Sequence, residues 1–167
     1  MVINSLFIIS SNDLKVFMEK HWCSAVRRSI LDEFLQKLRD IGDINDMPIV
    51  MAGSNDHYFI HIYFADLVFL AVCREETQPL MVTEFLHRIK DVFADYFGSC
   101  TIHTIKDNFV VVYELLDEVL DAGFPLVTEP NVLKELIRPT TILRSITNTV
   151  TGWWCSERNK KKILFIF

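Results

Sequence analysis

DNFVVVYELLDEVLDAGFPLVTEPNVLKELIRPTTILRSITNTVTG, residues Asp107 to Gly152, is the stretch on which the reading of the fold turns. Phe109, Val112, Tyr113, Leu116, Val119 and Leu120 recur at helical spacing, with Glu114, Asp117, Glu118 and Asp121 on the opposite face. The spacing predicts a helix that begins within Thr101 to Asn108 and ends at Gly123. Pro125 blocks its continuation, and Pro130 to Ile137 makes a short second helix stopped by Pro139. A threonine-rich exit follows. No residue in the stretch is set up for chemistry.

Immediately upstream, Val82, Phe85, Leu86, Ile89, Phe93 and Tyr96 form an apolar stripe over Pro79 to Phe97, with Pro79 in the first turn and Gly98 as a cap. Before that the period is two. His57 to Phe64 (HYFIHIYF) places Tyr58, Ile60, Ile62 and Phe64 on one face, and His57, Phe59, His61 and Tyr63 on the other. Ala65 and Asp66 turn the chain, and Leu67 to Cys73 returns as an antiparallel neighbour. Ile49 to Met51 reads as a short edge strand.

At the start, Ile3 to Ser10 is apolar on both faces, with Ile3, Phe7 and Ile9 opposed to Leu6 and Ile8. Ser11 to Asp13 makes a turn, and Val16 to Trp22 completes a β-hairpin. Ser24 is placed as the N-cap of an amphipathic helix through Val26, Ile30, Leu31, Phe34, Leu38 and Ile41, closed by Gly42. The order is β-β-α-β-β-β-α-α. It specifies an α+β fold, a five-stranded antiparallel sheet with one helix on one face and two on the other.

The chain has 167 residues, half of them hydrophobic, with positive mean hydropathy, which suits one domain with a sizeable core. Thirteen phenylalanines imply more apolar surface than one small core needs, so part of it is expected to meet a partner. The net charge of −5, with Lys160 to Lys162 as the only basic cluster, argues against nucleic-acid binding. Cys23, Cys73, Cys100 and Cys155 form no CxxC pair and read as reduced thiols of a cytosolic protein. No apolar run approaches the roughly 20 residues that span a bilayer, so any membrane association is expected to be peripheral.

The glycines are not clustered as a phosphate cradle requires. His57 and His61 share a strand face but stand about 13 Å apart by the rise per residue, too far to share a metal ion. The row Glu114, Asp117, Glu118 and Asp121 reads as a solvated helix face. No Ser or Cys sits in a nucleophile elbow. No catalytic residue, metal or cofactor is expected, which leaves binding or scaffolding as the leading class.

The opening hairpin and helix, LFIISSNDLKVFMEKHW then SAVRRSILDEFL, resemble the start of a longin (SNARE-like) domain. EFLHRIKDVFADYFG and IKDNFVVVYELLDEVLDAGFPLVTEPNVLKELI resemble the N-terminal domain of adaptor-protein-complex medium (mu) chains, VYELLDEVLDAGFP most of all. IRPTTILRSITNTVTG is similar to the medium chain of the third adaptor complex in particular. The resemblance covers Val2 to Gly152. It implies a non-enzymatic subunit of a heterotetrameric vesicle coat adaptor, carrying proteins from Golgi and endosomes to lysosomes and related organelles. It further implies assembly with a beta-type large subunit, the small (sigma) subunit and a second large subunit, on the cytosolic face of Golgi and endosomal membranes and transport vesicles. Neither a nucleic acid nor a small-molecule substrate is implied.

Partner contacts are expected on the outer surfaces of the first helix and of Pro79 to Phe97, with Arg27, Arg28, Phe85, Arg88 and Tyr113 as the candidate residues. Residues 1–138 form the expected longin-like domain, 139–152 begin a linker, and 153–167 are a divergent tail. WWCSERNKKKILFIF matches nothing expected of the family, as a splice variant, a retained intron or a truncated gene product would give, and the domain that reads tyrosine-based sorting signals is expected to be absent. Trp153, Trp154, the lysines and Ile163 to Phe167 supply at most weak, reversible membrane binding, and a disordered, aggregation-prone end is the expected reading. The alternative function is a stand-alone longin module that regulates membrane fusion or a small GTPase.

Overall fold

Every residue of LVFLAVC, Leu67–Cys73, is buried, because this strand (β5) has helices against both its faces. The computed structural model describes residues 2–74 and 77–137. The expected linker and tail, Pro139 and Cys155 lie outside the described residues. β5 lies between β1 (Ser5–Ser10) and β4 (Tyr58–Phe64), and the edges are β2 (Val16–His21) and β3 (Val50–Ala52). The order is β2-β1-β5-β4-β3, antiparallel throughout, with Leu6 opposite Ala71 and Ile60 opposite Ala71 from the other side. The five-stranded antiparallel sheet is the one the sequence specified.

Alternation then sorts the side chains into two cores. Phe7, Ile9, Phe59, Val68, Leu70 and Val72 face α1 (Arg28–Ile41), which lays Ile30, Leu31, Phe34, Leu35 and Leu38 on them. Burying those helix side chains stabilises the pair by on the order of 10 kcal/mol before entropy is subtracted. Leu6, Ile8, Ile60, Ile62, Phe69 and Ala71 face the other way, towards α2 (Pro79–Phe97), α3 (Ile102–Asp107), α4 (Phe109–Val119) and α5 (Pro130–Leu136). Gly42 and Gly98 close α1 and α2 at φ +82° and +79°, as cap positions require.

Four local readings are corrected. Ile3 belongs with Leu6 and Ile8, since the regular strand begins only at Ser5 and the extended parity does not reach back to it. Ser24 caps nothing: α1 starts at Arg28 because Trp22 to Arg27 are used in crossing from the edge strand to the middle of the sheet face. The helix expected from within Thr101–Asn108 is split at Asn108, whose amide side chain donates to the Thr104 carbonyl at 2.9 Å and competes with the helical ladder. Nor does it reach Gly123. It stops at Val119, and Leu120–Asp121 (β6) pairs with Phe124–Pro125 (β7) through a turn with Ala122 at φ +47° and Gly123 at φ +85°.

That ribbon is a clamp. The Ile3 N–H donates to the Gly123 carbonyl at 2.9 Å, the Cys23 thiol to the Ala122 carbonyl at 3.3 Å, and the Trp22 N–H to the Asn4 carbonyl at 3.0 Å. The run VLDAGFP therefore ties the start of β1 and the end of β2 to the helical layer.

Candidate interaction surfaces

Burial disfavours the charged forms of the titratable groups inside the domain. Burial pushes the Cys73 and Cys100 thiols up to about 11 and holds the His61 imidazole below its ordinary value. His61 packs edge-on against Phe34 with ring centroids 5.6 Å apart, and its Nδ1 has no partner. His57 donates from Nδ1 to the Ser54 carbonyl at 3.0 Å. No group of metal-ligating side chains converges among the described residues, and no described helix is long and apolar enough to cross a membrane. In the acidic row, Asp117 pairs with Lys20 at 2.5 Å, while Glu114 and Asp121 stand in solvent.

The candidate contact residues divide. Arg27 and Arg28 are exposed at the start of α1, and Arg88 is exposed on α2 with Nη2 3.9 Å from Glu84. Tyr113 is half-buried: its hydroxyl donates to the Glu19 carbonyl at 3.0 Å and Lys20 Nζ lies 5.7 Å from its ring centroid, so it fastens α4 to β2. Phe85 is corrected outright as an outer-surface residue. It is 5% exposed and faces the sheet, as its place in the apolar stripe of α2 dictates.

Exposed apolar side chains mark another surface. The outer face of α1 is polar, with Asp32, Gln36, Arg39 and Asp40 in solvent. The opposite layer presents Leu80 (80% exposed) and Met81 at the first turn of α2, Phe109 and Val110 at that of α4, and Val132 and Leu136 on α5. Leu80 and Met81 fall outside the Val82–Tyr96 stripe, and that misfit is the signal by which the sequence could have given them. Phe124 and Leu126, beside the clamp, are exposed as well.

The pattern of the clathrin adaptor complex small chain family matches residues 3–144. This chain belongs to that family. A five-stranded antiparallel sheet between helical layers is consistent with the longin-like fold of adaptor small chains. Among curated relatives, the AP-3 complex subunit mu-1 of Rattus norvegicus and of Homo sapiens, and the AP-3 complex subunit mu-2 of Homo sapiens, are each 50% identical over 151 residues. Those matches cover 90% of this chain and 36% of each relative, so the chain spans just over a third of their length. The likeness to medium chains of the third adaptor complex, first met in VYELLDEVLDAGFP, thus extends over most of this adaptor-family domain.

Structural comparison gives the same fold. A chain in a homology model of the full-length AP-3 complex in a stretched open conformation superposes with a TM-score of 0.61 at 13% identity, over 90% of this chain and 99% of that one. A chain in an intermediate open conformation of the complex superposes with a TM-score of 0.52 at 19% identity, over 77% of this chain and 30% of that one.

Proposed function

We propose that this chain is a non-enzymatic, medium-chain-type subunit of an AP-3-like vesicle coat adaptor, acting through assembly. The observation that carries the reading is the 50% identity to AP-3 mu subunits over 90% of the chain. Residues 1–138 form the longin-like domain, cradled by a beta-type large chain beside the small (sigma) chain and a second large chain, with 139–152 as linker and 153–167 as tail. The complex works peripherally on the cytosolic face of Golgi and endosomal membranes and vesicles, sending proteins towards lysosomes and related organelles. This domain contributes assembly and not the reading of tyrosine-based signals.

Exposed apolar side chains on α2, α4 and α5 support the assembly reading, because adjacent pairs such as Leu80 and Met81 or Phe109 and Val110 gain by burial against a partner. Co-expression with a beta-type large chain, followed by pull-down, tests it. Capture and improved solubility are the expected result. Replacing Leu80 and Met81 by serine is expected to weaken capture about tenfold or more while the fold persists. A well-behaved monomer with no affinity for that chain overturns the proposal.

A further inference from the structure

The outer face of α4 changes character along its length. Phe109 and Val110, in the first turn, are 44% and 48% exposed. Glu114 and Asp117 follow Val110 on the same side, with Glu118 beside them and Asp121 just past the helix end. Lys20 takes Asp117, but Glu114, Glu118 and Asp121 make no ion pair among the described residues. The carboxylates of α2 are matched instead: Glu84 faces Arg88, Asp91 faces Lys90 and Asp95 faces Lys134. On α4 an apolar pair in water therefore runs directly into negative charge without a cation.

The chain itself carries a segment of the opposite kind. Lys160 to Phe167, KKKILFIF, is three lysines and then five apolar residues, with no acid among them. Residues 153–167 hold four basic side chains against one acidic, so the rest of the chain is more acidic than the −5 of the whole. Reach is ample. Residues 138–159 separate Ile137 from Lys160, and that many residues span up to about 70 Å. A domain of this size has a radius of gyration of about 14 Å. Leu133 of α5 is buried in the same core as Val112, Leu115 and Leu116 of α4, so the chain passes Ile137 in the helical layer that holds this face.

We propose that Lys160–Phe167 docks on the outer face of α4 of its own chain, antiparallel to the helix. The order of the groups sets the direction. α4 runs from apolar to acidic and the segment from basic to apolar. Laid antiparallel, the lysines meet Glu114, Glu118 and Asp121, while Ile163 to Phe167 cover Phe109 and Val110. The opposite direction would set lysines on Phe109 and apolar side chains among carboxylates. The spans agree as well, since Val110 to Glu118 rises about 12 Å along the helix and Lys161 to Phe165 about 13 Å when extended. Apolar contact supplies most of the affinity, and the exposed ion pairs fix register. Because the segment is tethered, a modest contact suffices. Docking needs no other subunit and is thus separate from assembly with a large chain, although a partner that takes the α4 face must displace the segment.

Carbodiimide cross-linking of the full 167-residue chain, read by mass spectrometry, tests this. Equal parts of unlabelled and heavy-nitrogen-labelled protein are mixed at high dilution. Amide links from Lys160, Lys161 or Lys162 to Glu114, Glu118 or Asp121 are expected, each within chains of a single label. Links to Asp32 or Asp40, exposed on α1, are expected to be about tenfold rarer. Ile163→Ser with Phe165→Ser keeps every lysine and is expected to lower the α4 links about tenfold. Phe109→Ser with Val110→Ser, at exposed positions where the fold persists, is expected to do the same. Raising the salt concentration is expected to lower the links severalfold in the parent chain. Links that join the two labels overturn the proposal in favour of a second copy as the occupant. Equal yields on α1 and α4 overturn it in favour of an unattached segment. Unchanged yields in both serine pairs overturn the apolar contact, and with it the docking.

Discussion

Gly123 carries more of this fold than its size suggests. At φ +85° it occupies the left-handed region, and a Cβ there would stand 2.6 Å from the Ile3 carbonyl oxygen. Gly42 has nearly the same φ, +82°, but nothing within 4 Å. Gly42→Ala is therefore expected to cost about 1 kcal/mol, and Gly123→Ala about 2 kcal/mol or more, by urea denaturation. Equal costs would refute the clash. His61 makes a second prediction, about pH. Burial lowers its folded pKa below the usual 6.5, so the unfolded chain binds the extra proton first. That contribution to stability is present above pH 6.5 and is lost as pH falls towards the lowered folded value, with a slope of at most about 1.4 kcal/mol per pH unit. His21, also lowered by burial, adds to the slope in the same window. Glu33 acts lower down. Hydrogen bonds from Lys37 and then Ser54 hold it at about 2, so its contribution is present above 4.5 and is lost as pH falls towards 2. Melting temperatures of His61→Phe and the parent between pH 5 and pH 7.5 check this. The variant's decline is expected to be shallower, and parallel curves would remove His61 from the account.

Among the elements, α5 hangs on little. It is seven residues long, too short to persist unsupported. Leu133 is fully buried, the Tyr96 hydroxyl donates to the Ile137 carbonyl at 3.2 Å, and Lys134 pairs with Asp95 at 2.6 Å. Tyr96→Phe is expected to cost about 1 kcal/mol and Leu133→Ala about 3 kcal/mol. Hydrogen exchange should show α5 opening first in both, and uniform loss of protection across the sheet would contradict that. The elements themselves were largely legible in the sequence. Alternating and helical periods report which face is buried, and β5 and α2 lie where those periods put them. The misses share a cause, since periodicity is blind to interruptions made by tertiary contacts. Nothing in the spacing of Thr101 to Gly123 records that Asn108 turns its amide back on Thr104, or that Ala122 and Gly123 fold over the start of β1.

At the scale of the whole molecule, the two surfaces differ in how much the sequence could say. Leu80 and Met81 lie off the apolar stripe of α2, a misfit legible in their spacing, whereas the expected contacts Arg27 and Arg28 lie at the start of α1. Arg27 could be named from the sequence as a partner-contact residue only. His57 and Arg74, which lie near it, come from distant stretches of sequence, and only the pairing of β4 with β5 at Tyr58 and Cys73 places them at one end of the sheet. Charge and burial could name such residues singly, whereas the chain's topology alone assembles them.

The Ile3–Gly123 hydrogen bond has a consequence in time. β1 is apolar on both sides and pairs with β5, which is made much later, and its leading end is secured only after residue 123 has been synthesised. On the ribosome the first hairpin must therefore wait, with one edge open and the face opposite α1 uncovered, until nearly the whole domain has emerged. Contacts of such long sequence separation slow folding and lengthen exposure to aggregation. Slowing translation upstream of residue 67 is then expected to favour misfolding, while a pause beyond residue 137 gives the clamp time to close.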